Sequence, residues 1–165
     1  MKFHTFEELA AHVDEEIAIS DWLLITQARV SEFARVTDDP DWMHVDEERA
    51  KEGPVGQTIA QGFLTLALLL PFTHQCGYLP EPVEYAFNYG LNRVRWLTPV
   101  KVGSRIRNHT VLKSVESRGA GEYLVTTLNT VEIEREARPA MVAEWLGLVK
   151  LPAPSAQSRA RKSEP

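Results

Sequence analysis

Apolar and polar positions change their rhythm twice along the chain. From Phe63 to Leu70 every residue except Thr65 is apolar, so a helix built from this stretch is apolar all round, the mark of a buried helix. The run is far shorter than the roughly 20 residues needed to cross a bilayer, and Pro71 breaks or kinks it. It reads as a core helix and not as a membrane span. On its N-terminal side, Phe6, Leu9, Ala10 and Val13 share one face of a short helix, with Thr5 as N-cap and Glu8 completing a capping box. Asp21 to Ile25 is compact and apolar enough for a strand. Thr26 caps the next helix, on which Val30, Phe33 and Ala34 lie together. Asp46 caps a further short helix, and Gly53 suits the left-handed position just after its end.

Beyond Cys76 the period shortens to two. Val83 to Leu91, Val94 to Leu97, Ser104 to Val115, Glu122 to Ile133 and Ala140 to Leu151 are punctuated by Pro99, Gly103, Gly119, Gly121 and Pro139. Alternation such as Arg105-Ile106-Arg107 suits strands with one covered and one wet face. Helices followed by strands indicate a single α+β domain over residues 1–151, with Pro152 to Pro165 as a flexible tail.

Composition narrows the classes. At 165 residues the chain has enough material for one core. A net charge of −5 argues against a general affinity for nucleic acid or anionic membrane. Cys76 is the only cysteine, so no internal disulfide forms, and it reads as core filler. The N-terminus has no apolar signal-peptide core, and the expected compartment is the cytoplasm. There is no phosphate-cradling glycine loop and no paired CxxC.

The candidate chemistry lies in Thr37-Asp38-Asp39-Pro40-Asp41-Trp42-Met43-His44, just ahead of the apolar run. Pro40 disfavours helical geometry at Asp39, so the loop leaves its helix there. On an ideal helix, positions five apart point about 140° apart. On a bent loop Asp39 and His44 can converge, and a carboxylate and an imidazole facing one gap can share a single water. From the residues alone a solvated turn is the readier reading. Gly62, near the first turn of the apolar helix, has the same ambiguity. N–H groups there lack intrahelical partners and favour negative charge, while a missing side chain serves ligand approach and helix packing alike. Asp39, Asp41, His44 and Asp46 are acceptable metal-ligand types, but nothing fixes a third or fourth ligand, and no metal is expected. His4 and His12 are expected at the surface, with His74 and His109 in structural roles.

The order of the pieces adds what the loop alone lacks. Phe33-Ala34-x-x-Thr37-x-Asp39-x-x-Trp42-x-His44-Val45-Asp46, then Gly53-Pro54-x-Gly56-x-Thr58-Ile59-Ala60-x-Gly62-Phe63-Leu64, resembles the MaoC-like, (R)-specific enoyl-CoA hydratase family. Asn88-Tyr89-Gly90-Leu91-Asn92-x-Val94-Arg95 and Pro99-Val100-x-Val102-Gly103 are similar to its NodN-like branch, and the likeness runs from Phe6 to about Lys150. The resemblance implies a hot-dog fold, an antiparallel sheet curled around a central helix, and usually a homodimer. It also implies reversible, cofactor-free hydration of a trans-2-enoyl thioester, carried on coenzyme A or an acyl-carrier protein, to the (R)-3-hydroxyacyl form. Matched by motif, Asp39 and His44 fall on the catalytic pair, and Gly62 on the glycine whose N–H binds the thioester oxygen. Where the family usually has Gly, an amide and His, this chain has Asp38, Asp41 and Gln61. The two aspartates tend to raise the pKa of a neighbouring carboxyl group. Gln61 can still donate a hydrogen bond beside Gly62. Arg93, Arg95 and Arg105 are candidates for the phosphates of coenzyme A, or for a solvated strand face. Trp42 either walls the acyl pocket or anchors the loop. A hot-dog thioesterase and an acyl-thioester-binding protein without turnover are the alternatives.

Overall fold

The structure, a computed structural model, describes residues 1–153. The tail reading falls almost wholly on 154–165, outside the described residues. Strands β1 (Glu16–Ile19), β2 (Leu23–Leu24), β3 (Tyr85–Trp96), β4 (Arg105–Gly119), β5 (Glu122–Ile133) and β6 (Met141–Lys150) make one sheet, ordered β1-β4-β5-β6-β3, with β2 also on β4. All pairings are antiparallel. The two segments expected on either side of Asn92 are one strand, β3, which absorbs register shifts at Asn88/Gly90 and Leu91/Arg93. β1 was not expected.

Helices α1 (Phe6–Ala10), α2 (Gln27–Thr37), α3 (Trp42–Val45) and α4 (Glu47–Glu52) precede the central pair. Thr5, Thr26 and Asp46 cap α1, α2 and α4 as their spacing predicts. Gly53 departs from expectation, with φ −79. Its missing side chain serves contact instead, because a Cβ there would lie 3.0 Å from the Trp42 ring.

The apolar run forms two helices, α5 (Gly62–Ala67) and α6 (Leu69–Cys76), separated at Leu68. Pro71 explains the break three residues upstream of itself. Lacking an N–H, it cannot bond to the carbonyl four residues back, at Ala67, where α5 stops. Leu64, Leu68, Leu69 and Phe72 are buried against Ile106, Val131, Ile133 and Met141. Each such side chain stabilises the fold by about 1.5–3 kcal/mol. The opposite side is not covered, contrary to the all-round burial that its composition predicts. Phe63 is 68% exposed, and the neighbouring edge strand β3 leaves Phe87, Tyr89, Leu91 and Trp96 exposed.

A second cluster, built on Phe6, Leu9, Ile17, Leu112 and Val149, closes the far end under α1. Across the inner face of β4 and β5 runs a buried polar ladder. Asn108 Nδ2 donates to Asn129 Oδ1 (2.8 Å) and Thr110 Oγ1 (2.9 Å), and Asn129 Nδ2 donates to Thr127 Oγ1 (2.9 Å). A one-residue slip of β4 on β5 would turn these groups out and leave their partners unpaired, so the ladder fixes register.

Candidate active site

The site begins where α2 ends. Asp38 closes α2 in the left-handed conformation (φ 52), and its N–H bonds to the Ala34 carbonyl. Asp tolerates this region better than most residues. Asp41 then caps α3, its Oδ1 accepting the Met43 N–H at 2.9 Å. Both aspartates thus have structural roles in the turn that carries Asp39 to His44.

His44 is held at two points, its ring and its backbone carbonyl. Its Nδ1 lies 2.7 Å from the Ile59 carbonyl, which only accepts, so Nδ1 carries the proton and neutral His44 presents a bare Nε2. Its backbone carbonyl accepts from Gln27 Nε2 (2.7 Å), and Gln27 Oε1 in turn accepts from Thr58 Oγ1 (2.6 Å). Ile59 is itself fixed by its N–H on the Met43 carbonyl (3.0 Å) and a bridge to Lys101. With Nδ1 anchored, Nε2 stands 4.0 Å from Asp39 Oδ2, and the imidazole is 12% exposed against 49% for the carboxylate. The bent loop therefore brings the pair together.

His44, Gly62, Thr65, Trp96, Pro99 and Ala140 are among the residues lining a cavity of about 250 Å³. Gly62 opens α5, and among the described residues its N–H makes no hydrogen bond. Its carbonyl accepts from Trp96 Nε1 at 2.8 Å. Trp96 is a site residue that the sequence reading missed. An aromatic residue near a strand end gives no sign that it will lie across a helix start 34 positions away.

Two expectations are corrected, and a third, left open between two roles, is decided. Gln61 does not share the Gly62 environment: its side chain is buried, turns to α2 and donates to the Val30 carbonyl at 3.2 Å. Arg105 is not grouped with Arg93 and Arg95. Strands β5 and β6 intervene between β4 and β3, a separation of roughly 14 Å at about 4.8 Å per strand. Its guanidinium pairs with Glu134 (3.2 Å) and lies 5.7 Å from the Trp22 ring centre. Arg93 and Arg95 do remain exposed on β3. Trp42 anchors the loop, its ring against Gly53 and under Arg49 at 4.6 Å, and does not line the cavity. Among the described residues no group of three or more His, Cys, Asp or Glu is placed to hold a metal ion. No helix among them is long and apolar enough to cross a membrane.

Away from the site, His109 joins three strands, with Nδ1 on Glu16 and Nε2 on Glu132, each at 2.8 Å. The His109 ring, helped by Arg107, holds the Glu132 carboxyl below its ordinary range.

An antiparallel sheet packed over a broken central helix is the hot-dog fold, which the chain shares with MaoC-like and (R)-hydratase structures. The chain belongs to the MaoC-like dehydratase family, whose MaoC like domain matches residues 8–134. It is 50% identical over 142 residues to 3-hydroxyacyl-thioester dehydratase Z of Mycobacterium tuberculosis, covering 86% of this chain and 93% of that protein. It is 40% identical over 144 residues to Nodulation protein N of Rhizobium leguminosarum bv. viciae (87% and 89%), in keeping with the NodN-like branch. Among solved structures, an Archaeoglobus protein described as a monoamine oxidase regulatory protein superposes with a TM-score of 0.75 at 26% identity, covering 92% of this chain and 97% of its own.

Proposed function

We propose that the protein reversibly hydrates a trans-2-enoyl thioester to the (R)-3-hydroxyacyl thioester. The observation that carries this reading is the 4.0 Å gap between His44 Nε2 and Asp39 Oδ2. A bare imidazole nitrogen and an ionised carboxylate both accept, so one water about 2.8 Å from each can donate both of its hydrogens across that gap. Its free lone pair is then directed at a third point, the β-carbon of an enoyl thioester. As the C–O bond forms, one member of the pair takes a proton from the water, and a proton is returned to the α-carbon. Charge gathering on the thioester oxygen is met by the unpartnered Gly62 N–H. Addition of water is redox-neutral and these steps need only ionisable side chains, so the scheme uses no cofactor or metal.

The dehydratase named above acts on 3-hydroxyacyl thioesters, the same reaction in reverse. A groove of about 310 Å³ beside the central helices, lined by Leu66, Leu69, Leu70, Leu91 and Trp145, is suited to an acyl chain by its apolar lining. Exposed Arg93 and Arg95 are suited to the phosphates of a coenzyme A or carrier-protein arm. A homodimer would cover Phe87, Tyr89 and Leu91 on the edge strand, and the cytoplasm is the expected compartment.

Loss of the conjugated absorbance of crotonyl-CoA tests the reaction. Asp39→Asn and His44→Gln proteins that kept wild-type turnover would remove the pair from it. Free thiol released from butanoyl-CoA, with crotonyl-CoA untouched, would make the protein a thioesterase instead.

A further inference from the structure

Trp96 makes a contact whose consequence reaches the reacting atoms. It closes β3, the outermost strand, and its indole lies across the first residue of α5. Nε1 donates to the Gly62 carbonyl at 2.8 Å, and a Cβ on Gly62 would lie 2.9 Å from the same nitrogen and 3.0 Å from the ring. Phe63, the next residue of α5, meets the indole edge-on with ring centres 5.4 Å apart.

Glycine has more backbone freedom than any other residue, and a helix start is held by fewer hydrogen bonds than its middle. A donor at such a position wanders unless something else fixes it. The Gln61 N-cap makes no side-chain capping bond, so the usual device for the first turn is missing. We propose that Trp96 is a positioning residue that supplies it, a role that rests on the hydratase reading of the site. Its N–H ties down the Gly62 carbonyl, its ring fills the space a side chain would take, and Phe63 braces the ring. The Gly62 N–H is thereby held before charge develops on the thioester oxygen, which is when a fixed donor is most effective.

Trp96→Phe keeps the ring and removes the donor. With crotonyl-CoA, kcat should fall roughly ten-fold at unchanged KM, less than the roughly 10²–10³ lost when an oxyanion donor itself is removed. Equal losses in kcat and kcat/KM mark an interaction made only in the transition state. Phe63→Ala, a change at an exposed side chain, should lower kcat in the same way by roughly two- to three-fold. Wild-type kcat in Trp96→Phe, or a loss lying wholly in KM, would make Trp96 a mere wall and overturn the role. The clamp itself is read separately by the Gly62 carbonyl ¹³C resonance, which should move in Trp96→Phe. An unmoved resonance refutes the bond. A resonance that does move in Trp96→Phe, together with wild-type protein that hydrates no enoyl thioester, keeps the bond but refutes the hydratase reading and, with it, the positioning role of Trp96.

Discussion

The His44 Nδ1–H donates to the carbonyl of Ile59, 15 residues on, and this one bond decides which ring nitrogen faces Asp39. Ile59 contributes a backbone atom only, so its side chain can vary while the tautomer stays the same. Gln27 supports the arrangement by holding the His44 carbonyl. Gln27→Leu should leave the fold intact and lower crotonyl-CoA turnover by about ten-fold, against roughly 10²-fold or more for His44→Gln. Equal turnover in Gln27→Leu and wild type would show that Ile59 alone positions the ring.

Gly62→Ala sets a methyl group against the Trp96 indole at 2.9–3.0 Å. The indole must shift, and overpacking of this kind costs about 1–3 kcal/mol. The variant should melt lower and turn over crotonyl-CoA at least ten-fold more slowly, with calorimetry and the absorbance assay as the two readings. A Gly62→Ala protein matching wild type in both would show that the helix start needs no glycine.

Leu70 lies in α6 on the wall of the apolar groove and does not line the His44 cavity. Leu70→Trp should fill that groove, abolish activity on long enoyl thioesters and leave crotonyl-CoA turnover within about two-fold of wild type. If long and short substrates lose activity together, the acyl chain does not run there.

Glu132 gives a stability prediction with a definite sign. Its carboxyl titrates below the ordinary value of 4.5 because the His109 ring and Arg107 favour the ionised form. The folded state binds its proton less readily than the unfolded one. The stabilisation is therefore present above about pH 4.5 and is lost as pH falls through the lower folded value. Glu132→Gln should have a lower urea midpoint than wild type at about pH 7, with the gap closing below that point. Parallel midpoints down to about pH 3 would show that the triad of strands is held without this carboxylate.

What could be read from the sequence follows the range of the forces involved. The capped helices, the strands and the greasy central segment all depend on neighbours a few residues away. Pro40, acting on the residue beside it, made a convergence of Asp39 and His44 possible to read, and the family resemblance made it the expectation. The direction of Gln61 was not, since it is set by how α2 packs over the start of α5, and the Val30 carbonyl it meets is 31 positions distant. Arg95 and Arg105 are close in the chain, yet two strands that come later are inserted between them. The break at Leu68 was misplaced because a proline acts on the carbonyl four residues behind it, not on its own position. Gln27, Thr58 and Ile59 carry no local mark of their service to His44.

Trp96 sits at the end of β3, which among the described residues has no neighbouring strand on its outer side, and such edges open at lower free energy than a sheet interior. Heat should therefore blunt the chemistry before it melts the molecule. Turnover would fade several degrees below the temperature at which the circular dichroism signal is lost, and cooling from that interval would restore it in full.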